Sequence, residues 1–106
     1  MPTTRRPGVL AAPRMRESAF RDAVVHLATL RGWMTYFTWR SDHSPKGFPD
    51  LIFLRGDRMV VAELKVGTNT PSAEQEAWLA AFRLIGAEVF VWRPEDWTTI
   101  EEVLAA

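Results

Sequence analysis

Residues 48 to 65 read FPDLIFLRGDRMVVAELK, and this stretch decides the fold. It holds two apolar runs, residues 51–54 and 59–64, whose composition is typical of buried strands. The four residues between the runs include Gly56, which suits the positive φ of a tight turn. The stretch therefore predicts a β-hairpin. Both runs are apolar on both faces, so we expect two central strands that helices cover on each side.

A helix and a strand are predicted before this hairpin. Apolar residues recur at intervals of three and four over residues 14–31, which is the period of an amphipathic helix. They are Phe20, Val24, Leu27 and Ala28. Gly32 follows as the expected C-cap of this helix. Residues 33–39 are aromatic and β-branched and predict a strand, whereas residues 40–47 are polar and predict a loop.

A second helix is predicted after the hairpin. Two N-caps fit its entry: Thr70 before Pro71, or Ser72 with Gln75 three residues later as a capping box. The helix is expected to end before Gly86. Its expected apolar stripe consists of Trp78, Ala81, Phe82 and Ile85.

The order of elements predicts an α/β fold. Residues 87–92 give a fourth strand, and a short helix through Leu104 completes the order α-β-β-β-α-β-α. Such an order is typical of a mixed central sheet of about four strands flanked by helices. The third strand, the second helix and the fourth strand form a β-α-β unit, for which a right-handed crossover is expected.

The composition indicates one small globular domain. The chain has 106 residues, of which 47% are hydrophobic and 25% are charged. This is too apolar for a disordered chain and long enough to bury one core. We expect the folded domain to span residues 14–106. Residues 1–13 contain three prolines, a glycine and two adjacent arginines, which predicts a flexible basic arm.

Composition and charge also narrow the classes of partner. No stretch approaches the roughly 20 apolar residues of a membrane span, and the N-terminus lacks the apolar segment of a signal sequence. We therefore expect a cytoplasmic protein with no membrane partner. The chain has no cysteine, so a metal must be held by oxygen or imidazole. Net charge is zero, but the basic residues concentrate before and at Lys65, which favours a polyanionic partner.

The hairpin brings charged residues together. If Gly56 and Asp57 form the centre of the turn, Asp50 lies directly opposite Glu63, with Cβ atoms about 4.5–5.5 Å apart. Lys65, two residues beyond Glu63, points to the same face. Two carboxylates at that distance repel each other unless a proton or a cation lies between them. Carboxylate oxygens suit Mg²⁺ or Mn²⁺, and such an ion beside a lysine fits metal-assisted phosphodiester hydrolysis.

These residues carry a resemblance to a known family. Pro49-Asp50, followed after twelve residues by Glu63-Leu64-Lys65, resembles the signature of the PD-(D/E)xK nucleases. The stretch from Glu17 to the C-terminus resembles the virus-type replication-repair nuclease (VRR-NUC) branch of that superfamily. The segments at residues 46–52 and 70–75 extend the resemblance beyond the short signature.

The resemblance implies a role for each residue of the motif. Asp50 and Glu63 would bind the metal with help from the main-chain carbonyl of Leu64, and Lys65 would be the catalytic lysine. Two further catalytic candidates are Glu17, acting through water or the metal, and Gln75, orienting a ligand or the scissile phosphate.

The resemblance also implies a fold, an activity and partners. The sheet would be restriction-endonuclease-like, and the protein would be a Mg²⁺- or Mn²⁺-dependent DNA endonuclease. Such nucleases are often homodimers from viruses, here a phage in a bacterial host cell, that select branched DNA such as four-way (Holliday) junctions in DNA repair. The basic residues and the histidine that we regard as candidates for DNA binding are Arg5, Arg6, Arg14, Arg16, Arg40, His43 and Lys46.

Each motif residue also has a plainer interpretation. Glu63 and Lys65 could form a solvated ion pair, and Asp50 could be a turn residue after a proline. Glu17 could serve only the dipole of the first helix, and Gln75 only the capping box. At the level of function, the alternative is a nuclease-fold module that binds DNA or a protein partner without cleaving.

Overall fold

The computed structural model describes residues 16–38 and 44–106. The predicted arm and the candidates Arg5, Arg6, Arg14, Arg40 and His43 lie outside these residues. The observed order of elements is the predicted one. The elements are α1 (Glu17–Leu30), β1 (Met34–Phe37), β2 (Leu51–Arg55), β3 (Arg58–Leu64), α2 (Ala73–Leu84), β4 (Glu88–Trp92) and α3 (Trp97–Ala105), with a 3-10 turn at Pro94–Asp96. None of the helices in the described ranges is long and apolar enough to cross a membrane.

The four strands form one mixed sheet in the order β1-β2-β3-β4. The β1–β2 and β2–β3 pairs are antiparallel, and the β3–β4 pair is parallel. The predicted hairpin register is confirmed, because Arg55 pairs with Arg58 and Leu51 pairs with Ala62. Gly56 occupies the turn with a φ of 58°. Because Asp50 immediately precedes β2, the same register directs it toward the end of β3.

One face of the sheet forms the main core with α1 and α3. The predicted apolar stripe of α1 is confirmed, with Phe20, Val24 and Ala28 fully buried. Each large apolar side chain that is fully buried contributes roughly 1.5–3 kcal/mol. The remaining core residues are Trp33, Leu51, Phe53, Val60, Ala62, Leu64, Trp92, Ile100 and Leu104.

The opposite face of the sheet is only partly covered. Helix α2 packs against β3 and β4, where Val61 and Leu79 are buried. On the β1 and β2 half of this face, Met34, Tyr36 and Leu54 are exposed, and Met34 is 74% exposed. The prediction that helices cover both faces of the hairpin is therefore wrong for β2. A helix is about 10–12 Å wide and strands lie about 4.8 Å apart, so α2 covers only about two strands.

The predicted stripe of α2 is also wrong in part. Leu79 is the buried residue of the helix, whereas Ala81 is exposed and Ile85 is 76% exposed. Trp78 and Phe82 are partly buried, and both pack against Phe48. The apolar residues of α2 thus divide between the sheet and a loop. A periodicity analysis that assumes a single buried face cannot separate these two surfaces.

The C-terminal end of α3 is held by side chains from the hairpin and from the residue before β1. The Nε1 of Trp33 donates to the carbonyl of Leu104 at 2.9 Å, and Arg55 donates to the same carbonyl at 3.1 Å. Arg58 donates to the carbonyl of Val103 at 3.2 Å. Both guanidinium groups lie over the Trp33 ring, at 4.4 and 4.9 Å from its centroid. These donors satisfy carbonyls that a helix end leaves without an intrahelical partner.

Arg58→Met is expected to lower the free energy of unfolding at pH 7 by about 1–3 kcal/mol. It removes two 2.7 Å hydrogen bonds to Glu88 and the bond to α3. Hydrogen bonds from Arg58 lower the pKa of Glu88 below its ordinary 4.5, so this contribution is lost as the pH falls from 4.5 through that lowered pKa. Urea unfolding checks the result, with exposed Arg83→Met as the control. Equal stability of the two variants at pH 7 would contradict it.

Candidate active site

The candidate site lies where β2 begins and β3 ends. Asp50 precedes β2, and its Oδ2 accepts a 2.8 Å hydrogen bond from the main-chain N–H of Leu64. The N–H and C=O of one strand residue point to the same side, so the Leu64 carbonyl also faces β2. The N–H of Lys65 points the other way and donates to the carbonyl of Trp92 at 3.0 Å. The strand backbone therefore directs a carbonyl oxygen and the Asp50 carboxyl into one region.

Glu63 is the buried carboxyl of the site. Only 2% of its surface is exposed. Its Oε2 accepts a 2.7 Å hydrogen bond from Gln75 and lies 3.4 Å from the ammonium of Lys65. Its Oε1 is buried and has no hydrogen-bond partner within the described part of the chain. The plain interpretation of Glu63 and Lys65 as a solvated surface pair is thereby wrong, because both side chains are largely buried.

Gln75 forms the predicted capping box and also reaches the buried carboxyl of the site. The side-chain Oε1 of Gln75 accepts a 2.8 Å hydrogen bond from the main-chain N–H of Ser72. The main-chain N–H of Gln75 donates to the Ser72 hydroxyl at 3.1 Å. Ser72 is thus the N-cap, and the alternative with Thr70 is wrong. The Nε2 of the same Gln75 side chain binds Glu63. The capping box therefore fixes the rotamer that presents the amide to the buried carboxylate.

The carboxyl groups of the site share an environment that disfavours their ionised forms. Burial raises the pKa of Glu63 to about 7, the charge of Asp50 raises it further, and Lys65 partly offsets the rise. A hydrogen bond from the protonated Glu63 carboxyl to Asp50 also favours the neutral form of Glu63. Burial also raises the pKa of Asp50, although the Leu64 N–H partly stabilises its charge. Burial and the Asp50 charge raise the pKa of Glu17. A proton or a cation between the carboxyls would relieve the repulsion.

A cavity of about 460 Å³ opens beside this site. Glu17 and Lys46, two of the candidate site residues, line it, whereas Arg16 is exposed and is not among its lining residues. Lys46 lies 3.6 Å from Glu74 and is also highly exposed. The full lining is Glu17, Arg21, Thr38, Ser44, Pro45, Lys46, Gly47, Phe48, Asp50 and Gln75.

The structure adds Arg21 to the candidate residues. Arg21 is one of the basic residues that precede Lys65, and it lies four residues after Glu17 and therefore on the same side of α1. That spacing is the signal that could have identified it. The charge pattern alone cannot identify the residues of the cavity, because Arg16 is also basic and does not line it.

The loop that forms one wall of the cavity is packed tightly on α2. The Nε1 of Trp78 donates to the Lys46 carbonyl at 3.2 Å, and the Phe48 ring meets the Trp78 ring edge-on at 5.0 Å. Gly47 has a φ of 86°, and a Cβ at that position would lie 2.6 Å from the carbonyl carbon of Glu74. Since Glu74 adjoins Gln75, the loop and the residue that holds Glu63 are positioned by one contact.

Gly47→Ala is expected to destabilise the protein by at least about 2 kcal/mol, because it combines left-handed backbone with a backbone clash. Gly86→Ala is the matched control. Gly86 has a φ of 94°, but nothing lies within 4 Å of its added Cβ, so only the conformational cost of about 1 kcal/mol remains. Chemical unfolding of both variants measures the difference. Equal destabilisation would show that the contact between Gly47 and α2 is not close.

The donor set of the site suits a hard divalent cation. Asp50 and Glu63 supply carboxylate oxygens, and the Leu64 carbonyl faces the same region. The buried Oε1 of Glu63, which has no hydrogen-bond partner among the residues that the structure describes, is the kind of atom that a cation satisfies. Within residues 16–38 and 44–106, no three His, Cys, Asp or Glu side chains form a cluster able to hold a metal. A divalent cation held by Asp50 and Glu63 would therefore need further ligands, such as the water molecules that Mg²⁺ commonly retains.

The chain matches no protein-family model, no curated protein and no solved structure. Its likeness to the VRR-NUC family consequently stays a prediction from the motif. The structure establishes a mixed four-stranded sheet with flanking helices as the fold class.

Proposed function

We propose that this protein is a Mg²⁺- or Mn²⁺-dependent endonuclease that hydrolyses phosphodiester bonds in DNA. The observation that carries the proposal is the buried Glu63, which has one oxygen without a hydrogen-bond partner among the described residues and lies 3.4 Å from Lys65. Its side chain is bonded to Gln75, which lines the cavity together with Asp50. Together with the spacing of the Pro49-Asp50 and Glu63-Leu64-Lys65 motif, this arrangement favours an active site over a structural ion pair.

The burial of the Glu63 carboxylate has an energetic cost. A carboxylate that is removed from water without full compensation costs several kcal/mol, and replacing a whole buried ion pair by apolar residues is often neutral or stabilising. A purely structural role for Glu63 and Lys65 would therefore be served as well by an uncharged pair. Binding of a cation to the carboxylate in the active protein would explain why this loss of stability is tolerated.

The residues of the site have separate tasks under this proposal. Asp50 and Glu63 hold the cation, and the hydrogen bonds from Leu64 and Gln75 keep their carboxyl groups in place. A bound Mg²⁺ or Mn²⁺ would polarise the phosphoryl group and lower the pKa of a bound water. The ammonium of Lys65 donates hydrogen bonds to the attacking water and offsets the negative charge that develops on the phosphate.

Glu17 has a different position from the other carboxyls. It lines the cavity on α1, but it does not form a three-carboxyl cluster with Asp50 and Glu63 in the described structure. We therefore assign it to the cavity wall, where it accepts hydrogen bonds from water that surrounds the cation. This agrees with the indirect role that the motif implies for it.

The finer parts of the proposal follow from the motif resemblance. They are a restriction-endonuclease-like fold, a preference for branched DNA such as four-way junctions, a homodimer, and a phage protein acting in DNA repair. The strand order of the sheet, with the acidic residues on the β2–β3 hairpin and a carboxylate on α1, is compatible with that fold. The competing proposal is a module of the same fold that binds DNA without cleaving it.

The test is cleavage of end-labelled linear duplex and four-way junction DNA by chelator-treated protein to which Mg²⁺, Mn²⁺ or Ca²⁺ is added back. Cleavage that requires Mg²⁺ or Mn²⁺ would support the nuclease. Paired symmetric nicks confined to the junction would support the branched-DNA preference. DNA binding by pure, folded protein without cleavage in any metal would favour the binding module instead.

A further inference from the structure

Arg21 lies on the side of α1 that faces the cavity, one turn after Glu17. Its side chain is 30% exposed, and its guanidinium carbon lies 5.2 Å from the centroid of the Phe37 ring. A cation over an aromatic face is attracted to the negative charge density of the ring. The ring of Phe37 on β1 therefore holds the Arg21 guanidinium at the cavity.

The guanidinium of Arg21 has few partners in this position. It has five N–H donors, and the described residues provide one acceptor, the exposed carboxylate of Asp22 at a long 3.4 Å. The Nε is buried and has no partner within the same described ranges. An unpaired buried donor destabilises the fold, so an oxyanion that accepts from Arg21 would stabilise this arrangement.

The charges around the cavity indicate which acceptor fits. Burial raises the pKa of both Glu17 and Asp50, and the nearby positive charge of Arg21 partly offsets the rise. No salt bridge of Arg21 with either carboxylate is present in the described part of the structure. A guanidinium that lies near carboxylates but is not paired with them can bind an additional oxyanion. Its planar fork of donors matches two oxygens of a phosphate.

We propose that Arg21 binds a backbone phosphate of the nucleic acid in the cavity beside Asp50 and Glu63. The inference rests on the proposed function for the identity of the phosphate as part of DNA. It assigns to Arg21 the task of offsetting the repulsion between the acidic residues of the site and the polyanionic substrate. Phosphate contacts of this kind position a strand and make its affinity depend on salt.

The test is the salt dependence of DNA binding, which is a separate readout from cleavage. Binding of a short fluorescein-labelled DNA duplex is measured by anisotropy in Ca²⁺ buffer over a range of salt concentrations. Arg21→Met is expected to reduce the slope of log affinity against log salt by about 0.9 and to weaken binding several-fold at low salt. Arg21→Lys is expected to keep the slope and bind more weakly than wild type, because the fork is lost.

Arg83→Met provides the control, because Arg83 is exposed in the last turn of α2 and is not part of the cavity. It is expected to retain the wild-type slope and affinity. If Arg21→Met also retains both, or if it loses only thermal stability, the inference is overturned while the nuclease proposal stands. If wild type binds DNA but never cleaves it, the nuclease proposal fails, and the slope of Arg21→Met still decides the inference.

Discussion

A Glu63→Gln variant is expected to be more stable than wild type at pH 8 without metal, by up to about 3 kcal/mol, and to lose DNA cleavage. The folded-state pKa of Glu63 is raised from an ordinary 4.5 to about 7. Below pH 4.5 the group is protonated in both states and costs nothing. Between pH 4.5 and 7 the cost grows, because the unfolded chain ionises more readily. Above pH 7 the full cost remains, and glutamine does not incur it.

Urea unfolding of both proteins at pH 5 and pH 8 measures this effect. Wild type is expected to lose stability between the two values, while the variant changes less. Glu74 and Glu88 do not contribute to the change in stability between pH 5 and pH 8. Interactions in the fold lower their pKa values below 4.5, so their effect on stability falls at lower pH. A variant less stable than wild type at pH 8 would mean that Lys65 and Gln75 fully compensate the charge. The argument for a functional carboxylate would then fail.

Binding of Mn²⁺ is expected to offset the destabilisation of the folded state by the buried carboxylates. At pH 8 and a concentration 100 times the dissociation constant, bound metal stabilises the folded state by about 2.7 kcal/mol. For a domain of this size that raises Tm by roughly 10 °C or more. Because Glu63 has a pKa of about 7, proton competition at pH 5.5 is expected to weaken binding roughly 30-fold.

Asp50→Asn and Asp57→Asn form the matched pair for this experiment. Asp57 is exposed in the turn at the far end of the hairpin, so its variant is expected to keep the full Mn²⁺ shift. Asp50→Asn removes one of the two carboxylates and is expected to abolish most of it. Thermal melts at pH 8 with and without Mn²⁺ provide the readout. A shift of equal size in both variants would place the metal elsewhere on the protein.

The parts of the fold that follow from local rules could be predicted from the sequence. The Gly56 turn fixes the register of the hairpin, and the register places Asp50 near Glu63 without any knowledge of the remaining fold. The capping box of Ser72 and Gln75 is equally local. Sequence alone could not show that the Gln75 amide also reaches Glu63, because that contact depends on how α2 docks on the sheet.

The sequence predictions are wrong where the buried faces depend on packing between segments that are distant in the chain. The residues of α2 were assigned to one buried face, but Trp78 and Phe82 pack on Phe48. Nothing in the local sequence shows that the loop passes beside the first turn of α2, or that Gly47 is required there. The sequence cannot identify Arg21 as a site residue, because its position at the site depends on the cavity that the loop and α1 enclose.

The most direct test of the proposed nuclease is single-turnover cleavage of labelled DNA by wild type, Lys65→Met and Arg83→Met, purified in the same way and assayed with Mn²⁺. Lys65 lies 3.4 Å from Glu63, whereas Arg83 is exposed and remote from the cavity. We expect Lys65→Met to cleave at least about 100-fold more slowly, because it removes a charge-stabilising donor, and Arg83→Met to cleave at the wild-type rate. Cleavage by Lys65→Met at the wild-type rate would contradict the proposed site.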